Sequence, residues 1–177
     1  AVKLETKVLT LAKNTINNAY KFSNINEVKP YLTAWQQNNT KLSASQKSAV
    51  EKITTTDNGL ILVNGLAGVG KTTMLSAIKP LADNKGIKMI GLAPTNAATN
   101  ELKERGIESC TLDSYLAQLV KSHRDKTINR DQKTLVILDE SSMASTEKRL
   151  LKPILTVIWR GVPFMAAMSD TFTATAL

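Results

Sequence analysis

Two regimes of hydrophobic spacing divide the chain. Up to about residue 40, the apolar positions Val2, Leu4, Val8, Leu9, Leu11 and Ile16 recur at steps of three and four with lysines in the gaps, the repeat of an amphipathic helix. Ser23-Asn24 interrupts it. A second helix is expected over Glu27–Gln37, with Pro30 in its first turn, where a missing N–H does no harm. The polar stretch Gln36-Gln37-Asn38-Asn39-Thr40 lacks periodicity and reads as a linker. It sets a boundary between a helical N-terminal region, residues 1–41, and a second region, residues 42–177.

Beyond that boundary the pattern becomes blocks. Leu60-Ile61-Leu62-Val63, Met89-Ile90-Gly91-Leu92, Leu135-Val136-Ile137-Leu138 and Val162-Pro163-Phe164-Met165 are short apolar runs, separated by amphipathic stretches that begin near Lys71, Asn96, Leu112 and Ser145. Continuous apolar strands spaced by helices predict an α/β fold, a parallel sheet covered by helices on both faces. The polar segment from Lys121 to Lys133 reads as a surface loop before the third strand, either merely solvated or an edge facing nucleic acid.

Composition narrows the classes. With 177 residues, 42% of them apolar, the chain can bury one solid core. No apolar run approaches the roughly 18 residues of a bilayer-spanning helix, so no membrane association is expected. The lysines scattered through the first 23 residues do not resemble a secretory leader. Cys110, the single cysteine, cannot form an internal disulfide, and no Cys/His metal framework is present; a cytoplasmic setting is expected. The net charge of +8 favours polyanionic partners. It is divided evenly, with six lysines against two glutamates up to Lys41 and 17 basic against 13 acidic residues after it, and so places no groove.

The sharpest signal is Gly65-Leu66-Ala67-Gly68-Val69-Gly70-Lys71-Thr72, a G-x-x-x-x-G-K-[ST] sequence that follows an apolar strand and opens an expected helix. Glycines let backbone N–H groups curl round a phosphate, the helix start adds partial positive charge, and Lys71 reaches the β- and γ-phosphates while Thr72 holds Mg²⁺. The competing reading is a glycine-rich turn that binds nothing. A second signal is Leu138-Asp139-Glu140, two acids delivered by an apolar strand to the edge where open parallel sheets bind ligands. There Asp139 is suited to Mg²⁺ and Glu140 to orienting and deprotonating the water that attacks the γ-phosphate of ATP. A pair of acids ending a strand is also common punctuation, and it is the phosphate loop that gives this pair its meaning.

With these motifs in place, a family resemblance can be stated. GLAGVGKTTML from Gly65, GLAPTNAATNEL from Gly91 and LDESSM from Leu138 resemble motifs I, Ia and II of the superfamily 1B (RecD-like) helicases. They are most similar to the helicase part of conjugative relaxase-helicases of the TraI type. LSASQKSAV from Leu42 stands in the place of the adenine-reading glutamine motif, and TLDSYL from Thr111 is similar to a DNA-contacting segment. The resemblance implies a RecA-like P-loop NTPase fold and the first motor domain of an ATP-dependent DNA helicase. It assigns the nucleotide to Gln46, Gly65, Ala67, Gly68, Val69, Gly70, Lys71, Thr72 and Thr73, with Gln46 gripping the adenine edge through its amide. The metal falls to Thr72 and Asp139, catalysis to Lys71, Asp139 and Glu140, and single-stranded DNA to Pro94, Thr95, Asn96, Thr111 and Ser114. Read from the residues alone, Thr95 and Thr111 are equally suited to capping the helices that follow them.

The remaining candidates read as structural. Tyr20, Tyr31 and Trp35 lie on expected helices, where packing outweighs stacking on bases; Trp159 and Cys110 are assigned to the interior and His123 to a solvated loop. The pattern departs from the family near its end: Asp170 matches, but Thr173 stands where the family has a γ-phosphate-sensing glutamine. The resemblance also implies a second motor domain and a relaxase domain in the same polypeptide. A non-catalytic RecA-like module that holds single-stranded DNA or docks a protein is the alternative from a different class.

Overall fold

The computed structural model describes residues 23–64, 70–124, 133–139 and 165–169, with Lys13, Asn17 and Lys21 besides. In chain order its elements are α1 (Ile25–Trp35), α2 (Ala44–Thr55), β1 (Leu60–Asn64), α3 (Lys71–Asn84), β2 (Lys88–Ala93), α4 (Asn96–Glu104), β3 (Glu108–Thr111), α5 (Leu112–Arg124), β4 (Thr134–Leu138) and β5 (Met165–Ser169). The strands form one five-stranded sheet in the order β1-β5-β4-β2-β3. Every neighbouring pair is parallel. This is the RecA-like α/β architecture.

Local chemistry sets the helix starts. Asn24 accepts from the Glu27 N–H, and Ser43 and Gln46 form a reciprocal capping box at α2. Thr95 accepts from the Ala98 N–H, and Thr111 Oγ1 accepts from the Ser114 N–H. Such acceptors satisfy donors that a helix start leaves without intrahelical partners. At α3 the cap residue is Gly70, which has no side chain to offer. Two helices end alike. Gly86 at φ 67° and Gly106 at φ 75° turn the chain, and the following Ile87 and Ile107 donate back to Ala82 and Leu102 as they enter the core.

Side-chain alternation divides the strands between two layers. Ile61, Val63, Met89, Leu135 and Ile137 join α1, α2, α3 and Leu102 of α4 in one continuous core, which leaves Leu60, Leu92, Val136 and Leu138 for the opposite face. The connection from β3 to β4 runs back across the sheet, so the right-handed rule carries α5 to that second face, where Leu112, Tyr115 and Leu116 are buried. Helix α1 belongs to the first layer. Val28 and Leu32 are buried, Tyr31 and Trp35 pack against the same core, and the Tyr31 hydroxyl donates to the Ala77 carbonyl of α3 at 2.7 Å. Lys85 and Glu27 add a surface ion pair at 2.8 Å between these helices, worth little energetically.

Several expectations need correction. Helix α1 begins at Ile25, so Pro30 lies in its second turn; the carbonyl it deprives of a donor belongs to Asn26, which is exposed to water. Glu108–Thr111 is a strand that the apolar runs did not announce, because it is a short sheet edge with two half-buried residues and one exposed. The last strand begins at Met165, three residues beyond the start of the run at Val162. Lys121 to Arg124 continue α5 and are not loop. Cys110 is half-buried, short of interior. Tyr20, Trp159 and the expected element near Ser145 lie outside the described residues, as do most of the first 22 positions.

Gly91 shows how tightly the first layer is packed. A Cβ added there would meet Ser109 Oγ at 2.5 Å and Leu102 Cδ1 at 2.9 Å, both closer than real contacts allow. Gly91→Ala should lower unfolding free energy by about 1–3 kcal/mol, the usual cost of overpacking, in urea titrations. Adding Ser109→Ala should recover part of that loss.

Candidate functional site

Parallel strands put all their C-terminal ends on one edge, and the described candidate residues follow those ends. Register pairs Val63 with Met168 and Ala93 with Thr111, and one further step from Leu138 brings Asp139 level with both. The Asp139 N–H donates to the Leu92 carbonyl at 2.9 Å, which continues the ladder by that step. A single row therefore runs Val63, Met168, Asp139, Ala93, Thr111. With neighbouring strands about 4.8 Å apart, Asp139 stands roughly 10 Å from the end of β1 and roughly 10 Å from the end of β3. Alternation assigns it to the face of Leu135 and Ile137, the one against which α3 packs.

At the β1 end, Gly70 adopts the left-handed conformation, φ 78° and ψ 36°, and α3 follows with Lys71, Thr72 and Thr73, all half-buried. That conformation costs a residue with a Cβ about 1–2 kcal/mol. The uncapped first turn of α3 presents backbone N–H groups and partial positive charge toward the loop before it, an arrangement that suits an anion. Gly65, Ala67, Gly68 and Val69 lie outside the described residues, as does Glu140.

Gln46 comes to this place from α2. Its Oε1 accepts from the Ser43 N–H at 2.7 Å, and its Nε2 donates to the Gly70 carbonyl at 3.2 Å. The same carbonyl accepts the Met74 N–H at 3.0 Å, the first intrahelical bond of α3. Sequence reasoning placed Gln46 at the nucleotide only through the glutamine motif and missed this link to the loop end. The signal was available in part, since Ser43-x-x-Gln46 is a capping-box pattern that orients the amide.

The other candidates line the far half of the edge. Pro94 is half-buried and Thr95 and Asn96 are exposed after β2; Thr111 is half-buried and Ser114 exposed after β3. Thr95 and Thr111 both cap their helices, and so capping and an accessible helix start coexist at each. Beside them, burial and the Glu108 carboxylate push the Cys110 thiol above its ordinary value, against a weaker pull from Lys103, so it is not a thiolate nucleophile at neutral pH. Among the described residues no three His, Cys, Asp or Glu side chains cluster as a metal site. A magnesium ion needs no such cage, since it takes one or two protein oxygens together with substrate phosphates. Thr72 and Asp139, a hydroxyl and a carboxylate on one edge, are a donor set of that kind. No helix among the described residues is long and apolar enough to cross a membrane.

The arrangement is that of a P-loop nucleotide-binding sheet. A family model described as an AAA domain matches residues 41–156, and the chain belongs to this family, that of the RecD-like helicases. It is similar to the multifunctional conjugation protein TraI of Escherichia coli strain K12, at 36% identity over 107 residues, 58% of this chain and 6% of that protein. It is also similar to the probable conjugal transfer protein TraA of Sinorhizobium fredii, at 33% identity over 124 residues, 70% of this chain and 11% of that one. The chain thus spans a small part of the curated relatives it matches. In fold it is like the UvsW helicase of bacteriophage T4, with a TM-score of 0.56 and 13% identity over 88% of this chain and 62% of that one.

Gly70 and Gly86 share the left-handed conformation, but a Cβ at Gly70 would lie 2.5 Å from Gln46 Nε2, whereas at Gly86 nothing lies within 4 Å. Each change to Ala should cost about 1–2 kcal/mol for the backbone alone. Chemical unfolding should show Gly70→Ala to be the more destabilising, the excess reporting the contact with Gln46.

Proposed function

We propose that this chain is the ATP-binding first motor domain of an ATP-dependent DNA helicase or translocase that acts on single-stranded DNA in plasmid conjugation. The reading is carried by one observation: β1, the strand that leads into the glycine loop, and the strand that delivers Asp139 are parallel and end on the same sheet edge, with β5 between them.

In this reading Lys71 and the N–H groups of the loop neutralise phosphate charge, with Gly65, Ala67, Gly68, Val69, Gly70, Thr72 and Thr73 forming the cradle. Thr72 and Asp139 would hold Mg²⁺, which when bound neutralises charge on the phosphate oxygens. Glu140, next along the chain from Asp139, takes the proton of the attacking water. Residues 1–41 serve as a helical lead-in to the motor region 42–177. Pro94, Thr95, Asn96, Thr111 and Ser114 take the single strand along the β2 and β3 ends, on the opposite side of Asp139 from the nucleotide. Hydrolysis and strand movement then meet at one acid. In phosphoryl transfer an arginine supplied across a domain cleft is worth about 10³–10⁵ in rate, so a second motor domain of the same polypeptide is the expected partner, with a relaxase domain beside it. The greater length of the TraI and TraA relatives supports such a polypeptide, and the cytoplasm is its setting.

Calorimetry with Mg²⁺-ATP and a labelled oligonucleotide tests the proposal. The chain should bind nucleotide, and Lys71→Ala should abolish that binding while leaving far-UV circular dichroism and unfolding unchanged. Unaltered ATP binding by the variant refutes the phosphate cradle. DNA affinity with no nucleotide affinity in the unaltered chain assigns it instead to a non-catalytic single-strand-binding module.

A further inference from the structure

We infer that helix α1 is a splint for α3, and that Tyr31, whose hydroxyl braces α3 beside its internal proline, is a positioning residue for the segment that carries Lys71 and Thr72. The positioning role rests on the nucleotide reading above; the splint does not.

Helix α3 has a weak place in its third turn. Pro80 has no N–H to give the Ser76 carbonyl, and its ring crowds that same carbonyl, the usual origin of a bend. One turn earlier the Ser76 hydroxyl donates back to the Thr72 carbonyl at 3.1 Å, a second feature that loosens a helix. Both fall within 14 residues whose first turn holds Lys71 and Thr72. Helix α1 reaches α3 on either side of the proline. Before it, the Tyr31 hydroxyl donates to the Ala77 carbonyl, next in the chain after that of Ser76, at 2.7 Å; after it, Glu27 meets Lys85 at 2.8 Å. Glu27 and Tyr31 stand one turn apart on α1 and so share a face. Beside them Val28 and Leu32 are buried in the core that also holds Ala77, Ile78 and Leu81. The exposed ion pair adds little, which leaves the brace to the hydroxyl. Burial pushes the Tyr31 phenol up, so it keeps its proton and remains a donor. The bond spans 46 residues of sequence, and it ties the helix that carries the candidate site to one that lies before the matched region.

A double-mutant cycle on the 177-residue chain tests the splint. In urea titrations Tyr31→Phe should lower the folding constant about tenfold (roughly 1.4 kcal/mol), but by no more than about twofold once Pro80→Ala has given the Ser76 carbonyl its helical donor. An equal cost in both backgrounds overturns the splint, because it makes the hydroxyl an ordinary packing contact. Calorimetry with Mg²⁺-ATP under conditions where every variant is folded tests the positioning role. There Tyr31→Phe should weaken binding about threefold, and adding Pro80→Ala should restore it. Unchanged ATP affinity in folded Tyr31→Phe overturns that role. If the unaltered chain binds no nucleotide, the nucleotide reading falls and takes the positioning role with it, while the unfolding cycle still decides the splint.

Discussion

The direction of the strands is the constraint from which the rest follows. Five strands that pair parallel throughout deliver their C-terminal ends to one side of the sheet, and the candidate residues of the described chain follow those ends. A reversed strand at β4 would leave the core almost unchanged, since Leu135, Val136, Ile137 and Leu138 are buried between the layers whichever way they run. It would, however, carry Asp139 to the far side of the molecule from Lys71. Strand β5 lies between β1 and β4.

Around this frame the helix starts divide the labour. Those of α1, α2, α4 and α5 are closed by side-chain acceptors from Asn24, Ser43, Thr95 and Thr111, whereas α3 begins at a glycine. Gln46 reaches the same glycine from α2, and so the start of one helix is braced by the cap of another. Helix α2 is in turn anchored in the core by Val50 and Ile53.

Much of this was legible in the residues. The starts of α3, α4 and α5 at Lys71, Asn96 and Leu112 were readable, because apolar runs and capping residues are local signals. Non-local facts were not. The strand Glu108–Thr111 escaped notice because an edge strand with one paired side needs no apolar run. Pro30 was drawn one turn too early because water at Asn26 tolerates the lost bond, and composition does not report exposure. The pairing of Gln46 with Gly70 joins positions 24 apart, which periodicity cannot relate. The order of strands, on which the spacing of the candidate site depends, is a property of crossovers and leaves no mark in any one segment.

Helix α1 precedes the region matched by the family model, which starts at residue 41, yet Val28 and Leu32 are as deeply buried as strand residues of the same core. Tyr31 is bonded to the backbone of the very helix that begins at the glycine loop. The stretch matched by the family model is thus smaller than the unit defined by exclusion of water. A fragment cut at residue 41 would bare an oily groove along α2 and α3, and its solubility would then depend on whatever else came to fill it.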